Sequence, residues 1–156
     1  MKIVLLMTGK TNQKYLQEGI DLYAKRIQFY LPFELEVIPE KKITGKPGID
    51  HHKKQDSEAI EKRIRKDDFV ILLDEKGKEF DSIDFAKYME TCFHYGKKRM
   101  LFVTGGAFGL TDELKSKYQN IAMSKMTFSH QLIRLVFVEQ LYRALTIIKG
   151  ESYHHE

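Results

Sequence analysis

The alternation of apolar and polar residues divides the N-terminal part of the chain into a strand, a long helix and a second strand. Residues 2–7 form an apolar run of the length of a buried strand. After Gly9, apolar residues recur at helical spacing on one face, which predicts a helix over residues 13–30. Pro32 ends this helix, and a second strand is predicted over residues 33–38.

The rest of the chain repeats strand and helix after one irregular segment. Residues 41–55, KKITGKPGIDHHKKQ, have no apolar rhythm, so we predict a mobile surface loop there and a charged helix over residues 56–65. Further strands are predicted at residues 69–73, 100–104 and 120–123, with helices at residues 82–93 and after Thr111. Strands separated by helices predict an α/β protein whose parallel sheet is covered on both faces.

The last predicted helix, residues 129–149, is apolar on every side. Residues 130–149 read HQLIRLVFVEQLYRALTIIK, a pattern that is typical of a helix surrounded by protein. A chain of 156 residues with one sheet has difficulty enclosing such a helix. We therefore favour burial against a second copy in a homodimer, with a helix buried inside one subunit as the alternative.

Composition and charge are typical of one globular domain over residues 1–156, with 42% hydrophobic and 31% charged residues. The single cysteine, Cys92, cannot form an internal disulfide, and no apolar run is long enough to span a membrane. We therefore expect a soluble cytoplasmic protein. The 26 Lys and Arg residues against 22 Asp and Glu are compatible with a nucleic-acid partner without establishing one.

Three loops follow the predicted strands at the sheet edge where parallel α/β proteins bind ligands. They read DEKGKEF, GGAFG and SKMTFSH. In the second loop, Gly105, Gly106 and Gly109 allow positive φ and a close approach of the backbone to a ligand, and the alternative is a tight turn. No Gly-Lys-Ser/Thr follows, and Ala107 replaces the third glycine of a dinucleotide-binding motif, so both nucleotide-loop interpretations fail.

The third loop combines hydroxyl groups with apolar side chains. Ser124, Thr127 and Ser129 can hydrogen-bond a polar ligand or the backbone, while Met126 and Phe128 offer apolar walls. Ser129 is also a good N-cap for the last helix. The alternative interpretation is a capped loop with a buried Met and Phe.

Charged side chains on the last helix are a further set of candidates. His130 and Arg134 are four residues apart and share one face. Glu139 and Arg143 repeat this spacing, which we interpret as a simple pair within the helix.

The chain ends in ESYHHE, which places Tyr153, His154 and His155 side by side. A frayed terminus is the alternative to a functional tail. The two pairs of adjacent histidines, at residues 51–52 and 154–155, lack a further spaced ligand, so we expect no metal site.

Taken together, VILLDEKGKEF, FVTGGAFGL, SKMTFSHQLIR, EQLYRALTI and the terminal SYHHE closely resemble the RlmH (YbeA-like) family of SPOUT-class RNA methyltransferases. The match extends in order and at family spacing from MKI at the start to the last residue. It implies a parallel-sheet SPOUT fold with a C-terminal trefoil knot and a homodimer whose cofactor pockets are completed near the subunit interface. It also implies S-adenosylmethionine as methyl donor and N3 of a pseudouridine in the decoding-region stem-loop of large-subunit ribosomal RNA as acceptor.

The resemblance carries individual roles onto this chain. It places the cofactor contacts on Leu73, Gly105 and the six residues Ser124, Lys125, Met126, Thr127, Phe128 and Ser129. We add two hypotheses. His154 and Tyr153 orient the acceptor base and assist its loss of a proton, since an imidazole titrates near neutral pH. Contacts to RNA are expected from His130, Arg134, Arg143 and His155, with Lys125 a further candidate on charge and location.

Two positions depart from the family pattern. Ser129 stands where the family usually has proline. His155 stands where the family commonly has Arg or Lys, which puts a fixed positive charge at residue 155 in doubt.

A non-catalytic RNA-binding or ribosome-associated factor with the same fold is the alternative function, and it predicts no affinity for S-adenosylmethionine.

Overall fold

The computed structural model describes residues 1–155, in which five strands and five helices follow one another in strict alternation. In chain order the elements are β1 (Lys2–Thr8), α1 (Lys14–Gln28), β2 (Phe33–Ile38), α2 (Ile49–Glu61), β3 (Phe69–Glu79), α3 (Ser82–Phe93), β4 (Arg99–Thr104), α4 (Asp112–Lys117), β5 (Gln119–Ala122) and α5 (Leu132–Ile148).

The strands form one sheet in the order β2-β1-β4-β3-β5, and every pairing is parallel. Side chains alternate across β1, so that Ile3 and Leu5 join a core with α1, α3 and α5, while Val4 and Leu6 join a second core with α2 and α4. The α/β prediction with both faces covered is therefore confirmed. The trefoil knot stays a prediction, because strand order does not describe how the chain is threaded.

Helix α2 begins earlier than the sequence pattern predicts, at Ile49, so the second half of the predicted 41–55 loop is helical. The pattern missed these turns because Ile60 is the only large apolar side chain that α2 buries. Its inner face carries His52, Asp56 and Ala59 into a cleft described below. A helix that faces a polar cleft has no apolar stripe to detect.

Strand β3 is also longer than predicted, because the charged segment DEKGKEF continues the strand to Glu79. Its register against β5 shifts between Leu73 and Lys78, where β3 bulges. At Gly77 a Cβ atom would lie 2.6 Å from backbone atoms of Asn120 and Ile121. Glycine is required here by the close crossing of the two chain segments.

Helix α5 lies between α1 and α3 on the sheet, which accounts for its apolar pattern inside one protomer. The Phe137 ring packs 4.5 Å from that of Phe102 on β4, measured between centroids. A Cβ atom on Gly19 of α1 would lie 2.8 Å from Leu135, so the two helices are in close contact. The α5 pattern consequently no longer argues by itself for a second subunit.

Within the described residues, no helix has both the length and the apolar character that a membrane crossing requires.

Candidate functional site

A cleft of about 360 Å³ opens beside the β3 bulge, where β4 and β5 end, and we refer to it as the strand-end cleft. Parallel pairing sets Leu73 level with Thr104 on one side and Ile121 on the other, so the bulged part of β3 after Leu73 meets the loops that follow β4 and β5. Six of the eight residues predicted to contact a cofactor line this cleft: Leu73, Gly105, Ser124, Met126, Thr127 and Phe128. Lys125 and Ser129 do not.

The glycine turn after β4 uses its three glycines for three different reasons. Only Gly109 has a positive φ, of 80°, and its N–H donates to the carbonyl of Gly106 at 3.1 Å. A Cβ on Gly105 would lie 3.1 Å from the carbonyl carbon of Gly109, and one on Gly106 would lie 2.6 Å from an Asp56 carboxylate oxygen. Positive φ is therefore used at Gly109 alone, whereas Gly105 and Gly106 are glycines because neighbouring atoms leave no space for a side chain.

The loop after β5 is held by its own hydroxyl groups. Ser124 Oγ accepts a hydrogen bond from the Met126 N–H at 3.0 Å, and the Thr127 hydroxyl donates to the Glu75 carboxylate. Ser129 Oγ accepts from the N–H of Leu132, the first residue of α5, at 3.1 Å, although the N-cap position itself is Gln131 rather than the predicted Ser129. Ser129 is therefore committed to α5 rather than turned into the cleft.

Sequence analysis missed two polar features of the strand-end cleft. Thr104, at the end of β4, is 1% exposed, and its hydroxyl has no hydrogen-bond partner among residues 1–155. Lys115 Nζ lies 3.1 Å from the Asp74 carboxylate, and both line the cleft. The position of Thr104 as the last residue of a buried strand was the available signal.

A second cleft of about 690 Å³, which we call the lateral cleft, adjoins the first. It lies between the end of β1, the segment after β2 and the inner face of α2. The two clefts share His130 and the turn residues Gly106, Ala107 and Phe108. The Phe108 ring packs against that of His52 on α2 with 5.1 Å between centroids.

Two of the residues predicted to contact RNA lie at the start of α5, and the structure separates them. His130 lines both clefts, and burial together with the charge of Arg134 lowers its pKa, so the ring is neutral at neutral pH. Arg134 is fully buried, with Nη2 donating to the Thr8 carbonyl at 2.6 Å and Nη1 to the Thr11 hydroxyl at 2.9 Å. A direct contact between Arg134 and RNA is therefore contradicted, because its guanidinium holds the β1–α1 loop against α5.

The C-terminal tail packs on α5 and α1 of its own chain and lines neither cleft. The Tyr153 hydroxyl donates to Glu139 at 3.1 Å and lies 3.2 Å from that of Tyr23. Burial, the Tyr23 hydrogen bond and Glu139 raise the pKa of Tyr153, so the phenol stays protonated at neutral pH. Tyr153 is consequently suited to donate a hydrogen bond rather than to accept a proton. Residue 156 lies outside the described residues.

The charged residues around the tail form a small network. Arg143 donates to Glu139 at 2.5 Å, which confirms the predicted pair within α5. The Arg143 guanidinium also lies 3.3 Å from Nδ1 of His154 and 4.8 Å from the centre of the Tyr153 ring. His155 is exposed. Roles in catalysis for His154 and in RNA contact for Arg143 and His155 stay predictions.

Among residues 1–155, no three His, Cys, Asp or Glu side chains come together in a group that could hold a metal ion.

The fold and the strand-end cleft define an α/β protein with a ligand-sized cleft beyond the ends of its parallel strands. The family model described as "Predicted SPOUT methyltransferase" matches residues 1–154. The chain belongs to this SPOUT methyltransferase family.

Curated relatives match over their whole length. The chain is 46% identical over 157 residues to the ribosomal RNA large subunit methyltransferase H of Parabacteroides distasonis, with 100% of both chains covered. It is 49% identical to the protein of the same name from Cytophaga hutchinsonii, with 99% of this chain and 100% of the relative covered. The protein of that name from Christiangramia forsetii is 46% identical, with 99% of both covered.

Proposed function

We propose that this protein is an S-adenosylmethionine-dependent methyltransferase that modifies N3 of a pseudouridine in large-subunit ribosomal RNA. The observation that carries the proposal is the meeting of the β3 bulge with the loops after β4 and β5 in one cleft, in a chain that matches curated ribosomal RNA methyltransferases over its full length. Ribosomal RNA or the ribosome is then the partner, and the cytoplasm is the expected location.

The strand-end cleft fits S-adenosylmethionine in its shape and in its polar groups. The tight turn at Gly105 presents backbone rather than a side chain to the cleft, and the buried Thr104 hydroxyl offers an unused hydrogen bond. Leu73, Met126 and Phe128 supply apolar walls for a flat base. When bound, the cofactor supplies an electrophilic methyl group on a sulfonium centre.

The protein's own contribution is to hold the two reactants in line and to keep water away. Transfer of a methyl group is an in-line displacement, so holding the reacting atoms close and aligned supplies a large part of the rate. The glycine turn lies between the two clefts, and its backbone lines both of them. The Ser124 and Thr127 hydrogen bonds fix the opposite wall.

Mass mapping of large-subunit RNA tests the proposed function. Cells that lack this protein are expected to lose one methyl group in the decoding-region stem-loop, and purified protein with S-adenosylmethionine should restore it. The control is an otherwise identical strain that carries the gene in trans. An unchanged methylation map, or protein without affinity for S-adenosylmethionine, would favour the non-catalytic RNA-binding factor.

We also propose that the protein is a homodimer, and exposed apolar residues on α1 support this. Tyr15, Leu22 and Phe29 are spaced by seven residues, which places them on one face of the helix. Phe29 is 88% exposed. A stripe of large apolar side chains in contact with water is typical of a surface that binds another protein.

Light scattering at micromolar concentration should give about twice the 18.3 kDa mass of one chain. Leu22→Glu should lower this mass, since a charge would replace an apolar contact. Ile49→Glu is the matched control, because Ile49 is an exposed apolar residue on α2. A wild-type protein that is monomeric and fully active would contradict the homodimer.

A dimer would also explain how the tail acts. Tyr153 and His154 line neither cleft of their own chain. They pack on α1, which carries the exposed apolar stripe, and on α5, which is in contact with α1. We therefore infer that the tail of one subunit contributes to the cleft of the other.

A further inference from the structure

The lateral cleft contains a carboxylate that no interaction within the chain explains. Asp56 lies in the middle of α2 and is partly buried, and its carboxylate forms no side-chain hydrogen bond or ion pair within residues 1–155. One of its oxygens occupies the space that a side chain at Gly106 would fill, so it lies directly against the turn shared by both clefts. A partly desolvated carboxylate without a partner destabilises a folded protein, so a binding role would account for it.

The surroundings of Asp56 raise its pKa. Burial is the largest cause and the charge of Glu40 adds to it, while His52 acts in the opposite direction. A carboxylate in such a site accepts a proton more readily than one in water. The charged groups that face the same cleft from other elements are Glu40, Lys41 and Lys46 after β2, and His130 before α5 is a further titratable group there.

The floor of the lateral cleft holds a second unpartnered group. Thr8, the last residue of β1, is 5% exposed, and its hydroxyl has no hydrogen-bond partner among residues 1–155. Asn12 lines the same cleft. A hydroxyl, an amide and a carboxylate around one opening match the polar edge of a nucleobase, which offers both N–H donors and C=O acceptors.

The rim of the lateral cleft is basic. Lys41 and Lys46 line it, and Lys42 and Lys54 lie exposed in the neighbouring sequence. Lysines around an opening of this kind attract the phosphates of a nucleic-acid chain and hold it without reading its sequence.

We propose that the lateral cleft receives the target pseudouridine and that the Asp56 carboxylate accepts the proton from its N3. The inference rests on the proposed function, because it assigns the acceptor base of that reaction a place in this chain. Glu40 lines the same cleft but is exposed, whereas Asp56 lies against the turn that borders the strand-end cleft.

The chemistry balances with groups already named. Asp56 takes the N3 proton, and the electron pair of N3 forms a bond to the methyl carbon. The bond between that carbon and the sulfonium sulfur breaks, and its electron pair returns to sulfur. The proton then passes from Asp56 to water, which restores the carboxylate.

Asp56→Asn tests this proposal because the amide keeps the shape of the side chain and cannot accept the proton. With a pseudouridine-containing ribosomal substrate at neutral pH, we expect the single-turnover rate to fall by about 100-fold, as for loss of a general base. Affinity for S-adenosylmethionine by calorimetry should stay within about twofold of wild type, because Asp56 does not line the strand-end cleft and the amide keeps its shape. Asp56→Glu should recover part of the rate.

The pH profile separates proton transfer from a structural role. In the wild type the rate should fall as acid protonates Asp56. In Asp56→Asn the rate should instead climb into alkaline solution, where N3 ionises unaided, and the gap to wild type should narrow. Glu58→Gln, an exposed change on the same helix, is the control and should leave the rate unchanged.

Three outcomes would overturn the assignment. One is a wild-type rate in Asp56→Asn, a second is a loss that appears in Glu40→Gln instead, and the third is a parallel loss of cofactor affinity that marks Asp56 as a support for the turn. Failure of the proposed function is recognised separately, because the wild-type protein would then transfer no methyl group to the same RNA.

Discussion

Gly105→Val is expected to abolish methylation by weakening the binding of S-adenosylmethionine. Even the first carbon of a side chain at this position would lie 3.1 Å from the Gly109 carbonyl carbon and 3.2 Å from Leu110. The two methyl groups of valine must then displace the turn or fill the cleft. Overpacking of about 2–3 kcal/mol corresponds to an affinity loss of roughly 30- to 150-fold, which calorimetry measures directly.

The matched control for this change is Gly48→Val. Gly48 has a φ of −70°, which valine adopts, and nothing lies within 4 Å of a Cβ placed there. The same substitution should therefore leave cofactor affinity unchanged. Circular dichroism establishes that both variants fold, and Gly105→Ala provides a milder change should the valine prevent folding. A folded Gly105→Val protein that binds the cofactor normally would refute the assignment of the strand-end cleft.

Deletion of residues 153–156 is expected to reduce methylation by about 100-fold or more, the scale on which positioned acid-base groups contribute. Cofactor affinity should remain nearly intact, because Tyr153 and His154 are expected to act on the RNA base rather than on the cofactor. His154→Ala should cause part of this loss, since several groups position the base. If the truncated and the complete chain were equally active, the tail would be a frayed terminus without a role in methylation.

A mixed dimer tests whether the tail acts on the partner subunit. One subunit carries Gly105→Val and the other lacks residues 153–156, so that each homodimer is inactive. If the tail acts across the interface, the mixed dimer contains one complete site and should recover about half of the wild-type rate per dimer, by the symmetry of a twofold interface. Absence of recovery would show that the tail serves its own subunit.

Apolar periodicity predicted most of the fold. Strands β1, β3 and β4 were placed because each buries a short apolar run, and α1 because its buried residues recur on one face. The start of α2 and the end of β3 escaped prediction for a common reason. His52 and Asp56 face a cleft, and Gly77 and Lys78 lie beyond a bulge, so neither segment shows the pattern that a core imposes.

The site was predictable where it follows from topology and less so where it depends on packing. Gly105 and Ser124 follow the ends of β4 and β5, and Leu73 ends the apolar part of β3, so parallel pairing brings the three positions together. Arg134 was misassigned because its charge suggested a contact with RNA, although the apolar residues on both sides of it, LIRLVF, pointed to burial. Asp56 is distant in sequence from the glycine turn, and only the folded chain shows that they touch.

The turn at Gly106–Phe108 is a wall common to two clefts, and this has a thermodynamic consequence. Any ligand that shifts the wall on one side changes the free energy of binding on the other. Linkage makes this effect reciprocal, so the factor by which the first ligand alters the affinity of the second equals the factor in the opposite direction. Measuring the affinity of one ligand in the presence and in the absence of the other therefore gives the coupling factor in both directions.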